Sequence, residues 1–236
     1  MKPLTNLKQR LVVLPEFRKS LKQIGLFTRF HVLAEAANLD LSKASTTVSL
    51  ASPSLPSREY DVAKKSIKSS ARIAKNLAEK LRRDADAISD SGTEESFTNL
   101  SYHAKEALKR TKSGWQSSLQ SKIEKWEVLS GVVCAIGQDT PVVRAQSDRL
   151  KTSVDRLRSC ADNLPSKSGD VDLVVKNLEQ LTEAVSHLGL DTPFGKFLQA
   201  AASEQGAAFS DAQDTVVAHQ IESLKLQNSF RIRLSS

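Results

Sequence analysis

Between residues 171 and 188 the apolar side chains Val171, Val174, Leu178, Leu181, Val185 and Leu188 follow each other at steps of three and four residues. A sustained mean spacing of 3.5 residues puts one apolar seam along a helix and requires a second helix, nearly parallel in axis, to cover it. The same rhythm recurs upstream. Tyr60, Ile67, Ala74, Leu81 and Ile88 repeat every seven residues, with Ala63 and Leu77 on the same seam. Ser70 and Asp84 fill its other expected positions and mark where solvent or a partner would meet the bundle. Phe97, Leu100, Ala104, Leu108, Trp115, Leu119, Ile123, Trp126 and Leu129 form a third run, and Val143, Leu150, Val154, Leu157, Ala161 and Leu164 a fourth. Only nine glycines and seven prolines occur in 236 residues, and they cluster, so the runs between them stay unbroken. The expected fold is all-α: an elongated antiparallel helical bundle or coiled-coil hairpin with a small C-terminal cap, since short connections make sequential helices antiparallel.

The breakers suggest the organisation. Residues 1–44 read as an N-terminal helical segment in which 11–14 (LVVL) are a short apolar run before Pro15. Residues 45–57 (STTVSLASPSLPS) have linker composition. Residues 58–188 carry the bundle, with a turn at 91–93 and breaks at 131–141 and 165–170. Residues 189–236 form the cap. Its ending, FRIRLSS, alternates apolar and basic residues, which predicts a strand or extended arm that could pair with residues 11–14.

One stretch imitates a phosphate-binding loop. GLDTPFGKF, residues 189–197, holds two glycines and a lysine, but the glycines are separated by five residues, and Phe197 stands where the magnesium-binding hydroxyl belongs. Pro193 also removes one N–H from the would-be cradle. The stretch reads as a helix end at Gly189 followed by a new start at Thr192 and Pro193, because proline suits the first helical turn. His31, His103, His187 and His219 are scattered, and Cys134 and Cys160 have no zinc-finger spacing. No Gly-x-Ser-x-Gly elbow occurs. No metal, cofactor or catalytic residue is expected. Two cysteines in helical patterns, no continuous apolar leader and no run long enough to cross a bilayer suit a reducing, cytoplasmic setting without membrane contact.

Charge is uneven. The formal net charge is +7; residues 1–164 hold 28 Lys/Arg against 18 Asp/Glu, and residues 165–236 hold 6 against 9. Lys64, Lys65, Lys68, Arg72 and Lys75 lie on one helix and Lys105, Lys109, Arg110 and Lys112 on the next. An antiparallel turn centred on Gly92 would set Arg72 and Lys75 beside Lys109 and Lys112, merging the clusters into a stripe suited to a nucleic-acid backbone. Trp115 and Trp126 are three turns apart on the apolar stripe; they and Phe194, Phe197, Phe230 and Ile232 are the candidate partner-facing anchors.

The tail PFGKFLQAAASEQGAAFSDAQDTVVAHQIESLKLQNSFRIRL, with its Phe-Leu pair, alanine run, Gly-Ala step and final Phe-Arg-Ile-Arg-Leu, resembles the closing segments of large ATPases and helical companion proteins of bacterial anti-phage defence systems of the BREX type. The resemblance covers about a fifth of the chain, and Ala218, His219 and Gln220 stand where a tryptophan-containing helix is expected. It implies a helical module detached from, or docking onto, an ATPase absent from this chain, and it carries over no catalytic residue. The expected function is a non-catalytic interaction or scaffolding subunit of a larger bacterial assembly, with a homo-oligomer open because such a seam closes equally well between two chains. The alternative is a sequence-nonspecific nucleic-acid-binding accessory protein using the Lys/Arg stripe.

Overall fold

The computed structural model describes residues 2–136, 140–203 and 206–230. The fold is all-α, with eight α-helices and no strand among the described residues: α1 (Lys2–Ala51), α2 (Arg58–Arg83), α3 (Ser91–Ile136), α4 (Pro141–Ala161), α5 (Ser168–His187), α6 (Pro193–Ala201), α7 (Phe209–Ala212) and α8 (Thr215–Ser223). No helix among the described residues is long and apolar enough to cross a membrane. The chain divides into two compact units. One gathers Met1–Ser52 and Ser57–Gly114, and the other Pro53–Pro56 and Trp115–Ser236.

The first unit is α1, α2 and the first half of α3. α1 runs antiparallel to α2: Lys64 near the start of α2 donates to Ser52 just past the end of α1 (3.4 Å), while Gln23 donates to Asp86 beyond the end of α2 (2.8 Å). It runs parallel to α3, with Arg29 paired to Glu94 at 2.8 Å and the Phe30 ring stacked on Phe97 at 4.5 Å. Phe30, Ala37, Leu77, Phe97, Leu100 and Ala104 are the centre of the core.

Four local expectations change here. Residues 45–51 are helix, not linker. Their spacing outweighs their composition, because Ala44, Thr47, Val48 and Ala51 are buried at helical steps and Ser49 satisfies its hydroxyl on the Thr46 carbonyl. The turn is confined to the residues around Pro53 and Pro56. Residues 11–14 also lie in α1, so they offer no edge for a C-terminal strand. α2 ends at Arg83 because Asp84 turns extended (φ −144°, ψ 105°) and caps a 3-10 turn, Ala85–Ser89, by accepting from the Asp86 N–H. Ser70 is fully buried rather than a point where a partner meets the bundle.

The second unit takes the rest of α3, the α4–α5 hairpin and the cap. Helix α3 continues past Gly131 to Ile136 because Leu129, Ser130 and Val133 keep it buried. α4 buries Val143, Leu150, Val154 and Leu157, and α5 buries Val171, Val174, Leu181 and Val185. The start of α5 is held by Asp170, whose carboxylate accepts from the Ser166 N–H, the Ser166 hydroxyl and the Lys167 N–H at 2.9, 3.0 and 3.2 Å.

Residues 189–195 form the expected helix-to-helix connection. Gly189 takes φ 65°, its N–H bonds the Ser186 carbonyl and the Leu190 N–H bonds that of Val185 (both 3.0 Å). That pair of bonds closes the helix C-terminus in a Schellman motif, whose left-handed residue favours glycine. Thr192 then caps α6, with Pro193 in its first turn. Gly195 is buried against Leu190, where a Cβ would collide with the Leu190 carbonyl oxygen. The strand or arm expected over FRIRLSS lies, apart from Phe230, outside the described residues, as does Ile232.

Three substitutions probe this frame. The Ser70 hydroxyl is buried without a hydrogen-bond partner among the described residues, so Ser70→Ala is expected to stabilise by up to about 1 kcal/mol in urea unfolding; a loss of similar size would show that the hydroxyl is bonded. Gly195→Ala should cost about 1–3 kcal/mol or more, because backbone must move to admit the methyl, and an unchanged melting temperature would refute the close approach. The hydrogen bonds from Ser166 hold the Asp170 carboxyl below its ordinary pKa. Its folded-state pKa is depressed, so its stabilisation is present above the unfolded value, about 3.9, and fades as pH falls through the folded one. Asp170→Asn should therefore lower the melting temperature at pH 7 and have a diminishing effect under acid.

Candidate interaction surfaces

Three contacts within the first unit define the register of α2 against α3. Glu59 reaches Arg110 (3.1 Å), Tyr60 lies over Gly114, where a Cβ would sit 2.9 Å from the ring, and Lys80 reaches Thr93 (2.9 Å). The hairpin therefore turns about the buried Ala87 rather than Gly92, because the residues from Asp84 to Asp90 are used up in the turn. By interpolation between those contacts, Arg72 and Lys75 lie level with residues 95–102, not with Lys109 and Lys112; it is Lys64 and Lys65 that lie level with Lys109.

Arg110 does not join a free basic stripe. Its guanidinium bonds Glu106 at 2.6 Å and Glu59 at 3.1 Å, and those carboxylates, Glu106 first, raise its pKa further. It occupies the flank of α3 that faces α2. At about 100° per residue, Lys105, Lys109 and Lys112 lie roughly 100–160° round the helix from it. The two clusters thus remain separate. Lys65, Lys68, Arg72 and Lys75 are exposed on the outer face of α2 and stand in no ion pair among the described residues, although Asp61 pairs with Lys64 at its upper end (3.4 Å) and Glu79 lies further along the same face. Lys105, Lys109 and Lys112 are likewise exposed and unpaired among the described residues, beside the exposed Tyr102 ring.

The aromatic anchors turn inward. Trp115 is buried and donates its indole N–H to the Cys160 carbonyl at 2.9 Å, so both its apolar body and its polar tip are used within the second unit. Trp126 is half-buried beneath the Lys125 ammonium, 4.4 Å from its ring centroid. Phe194 and Phe197 are buried in the cap and contact each other, and Phe197 also meets Phe230 with ring centroids 5.3 Å apart. These residues hold the cap together and are not a docking face. Phe197 and Phe230 also line a cavity of about 720 Å³ whose other walls are mostly glycine, alanine and the exposed Phe209.

Cys134 and Cys160 are both half-buried free thiols. Burial, and then the negative charge of Asp170, push the Cys160 thiol above its ordinary pKa, away from the reactive thiolate. His31 pairs with Glu35 one turn along (3.2 Å) and stacks on Phe27, and no cluster of metal-ligating side chains occurs among the described residues.

The surface that the apolar-seam reading missed is on α1. Phe30, Ala37, Ala44 and Ala51, seven residues apart, are each at most 2% exposed and face the core. Leu21 and Leu39 lie nine residues either side of Phe30. Nine residues are two and a half turns, which sets both on the opposite face. There Leu21, Val32 and Leu39 are 51–58% exposed, and Ile24, about 120° round from Phe30, is 61% exposed at their edge. A helix with apolar residues on both faces shows little net amphipathicity, which hid the outer stripe; reading two interleaved seven-residue phases would have separated them. No family model, curated protein or solved structure matches the chain.

Proposed function

We propose that this chain is a non-catalytic interaction or scaffolding subunit of a larger assembly, and that it engages a protein partner through the outer face of α1. The observation that carries the reading is the group of four large apolar side chains, Leu21, Ile24, Val32 and Leu39, each more than half exposed, on a helix whose opposite face already packs into the core. Exposed apolar side chains grouped on one face cost solubility unless something covers them. They are not needed for folding, because Phe30 and its seven-residue successors anchor the helix from the other side.

The charged groups fit a structural role. Arg110 is tied between two carboxylates, Arg158 is paired to Glu127, and the Cys160 thiol is held protonated by burial. Free thiols suit a reducing cytoplasm. Docking onto an ATPase of an anti-phage assembly is the specific partner that the tail resemblance suggests.

A second reading rests on a separate observation, the unpaired outer face of α2. Lys65, Lys68, Arg72 and Lys75 there could neutralise a nucleic-acid backbone independently of α1.

One experiment separates the two. The tagged chain and its Leu21→Glu/Val32→Glu/Leu39→Glu variant are purified from the native host with and without nuclease, and partners are quantified by mass spectrometry. The protein-docking reading expects a stoichiometric partner that survives nuclease and falls by at least about tenfold in the variant, as loss of clustered interface anchors implies. Because the three positions are exposed, the variant should keep its helical circular dichroism and melting temperature. Partners that vanish with nuclease, survive the α1 substitutions and are lost in Lys65→Gln/Lys68→Gln/Arg72→Gln would instead establish the nucleic-acid reading.

A further inference from the structure

The outer face of α1 has the layout of a coiled-coil seam. Leu21, Thr28 and Glu35 fall on one line of positions seven apart, and Gly25, Val32 and Leu39 on the adjacent line, together alternating at steps of three and four. All six are exposed. Ile24, one residue before Gly25, widens the stripe to the spacing that packs against a facing helix. At Gly25 a Cβ would meet nothing within 4 Å, which leaves a recess in the seam for a large side chain from outside. Length favours a helix as occupant: residues 21–39 span about 27 Å at 1.5 Å per residue.

Charge selects the kind of helix. The positions flanking this seam on one side, seven residues apart, are Lys22, Arg29, Ala36 and Lys43. Lys22 and Lys43 stand in no ion pair among the described residues, and Arg29 shares Glu94 with the inner contact. The other flank carries Ile24, His31 and Asn38. Across the whole of α1 there are eight Lys/Arg against three Asp/Glu. Flanking charges decide which helices pair. A second copy of α1 laid antiparallel would bring one row of lysines against another, and laid parallel it would offer those lysines no carboxylate.

We propose, resting on the α1 docking reading, that the occupant of this face is an amphipathic α-helix of a different protein, with an apolar heptad seam flanked by acidic residues. The juxtaposition of exposed Leu21, Val32 and Leu39 with the unpaired ammonium groups of Lys22 and Lys43 disfavours self-pairing and specifies a hetero-partner. Glu35 sits in the seam 3.2 Å from His31, which is on the flank away from Lys22 and Lys43.

The test uses the full chain and two synthetic five-heptad peptides with isoleucine and leucine in the seam, one flanked throughout by glutamate and the other by lysine. Each self-repels and stays available for pairing. Binding is followed by fluorescence anisotropy at low and high salt. The glutamate peptide is expected to bind at least tenfold more tightly than the lysine peptide, with the difference shrinking as salt rises. Lys22→Glu/Lys43→Glu should narrow or reverse that preference, and Leu21→Glu/Val32→Glu/Leu39→Glu should abolish binding of both. Equal affinity for the two peptides, lost in the leucine variant, would overturn the acidic assignment while leaving α1 as a docking face. Binding of neither peptide, or binding indifferent to the leucine variant, would overturn the helix-seam proposal, and the co-purification experiment then judges the docking reading by itself. A chain that sediments as a dimer dissociated by the α1 substitutions would also overturn it, in favour of a second copy.

Discussion

The stack of Phe30 on Phe97 decides which way α1 faces, and much of the first unit follows from that choice. The rings are 4.5 Å apart and nearly coplanar in orientation, within 8°. From Phe30 onward the residues at seven-residue intervals on α1 are alanines: Ala37, Ala44 and Ala51. A large ring at one end and small side chains along the rest let the helix axis come close to α2 and α3 without overpacking, and Leu26, Leu33, Ala34 and Leu41 pack beside that line. Once that line is inside, Leu21, Val32 and Leu39 are outside by geometry alone. The exposed face is therefore a consequence of the core and not a defect in it.

The helical content was legible because seam spacing survives any uncertainty about the partner. Val171 to Leu188 must be a helix whatever covers it, and the end at Gly189 with a restart at Pro193 was readable from backbone chemistry, since a left-handed residue and an N-terminal proline each have few alternatives. Composition misled where it conflicted with spacing. Residues 45–51 look like a linker because serine and threonine favour turns in isolation, yet Thr47 and Val48 are buried and Ser49 bonds back into its own helix. Tertiary burial outweighed local preference there.

The site was less legible because it depends on register and on direction, which spacing does not contain. A turn that consumes residues 84–90 shifts the α2–α3 pairing so that lysines equally distant from Gly92 no longer meet. Arg110, adjacent in sequence to Lys109, is turned by one residue's rotation into the α2 interface and bound by Glu59. Large aromatic residues were poor guides to a binding face for the same reason: Trp115, Phe194 and Phe197 are the side chains whose burial stabilises the second unit most, so the fold uses them itself.

Two apolar faces on one helix also bear on how such a chain would behave without its partner. The inner face of α1 secures it through Ala37, Ala44 and Phe30, so the outer face need not be covered for the unit to fold. Binding at a preformed face avoids the ordering entropy that a disordered segment would lose on docking, and leaves more of the contact energy as affinity. The cost falls instead on solubility, because Leu21, Ile24 and Val32 stay in water between encounters. Lys22 and Lys43 reduce that cost. They keep two copies of the same face apart by like charge when laid antiparallel, and they attract a partner of the opposite sign over the same few ångströms. The basic edge thus discourages the wrong contact and favours the right one with a single set of residues.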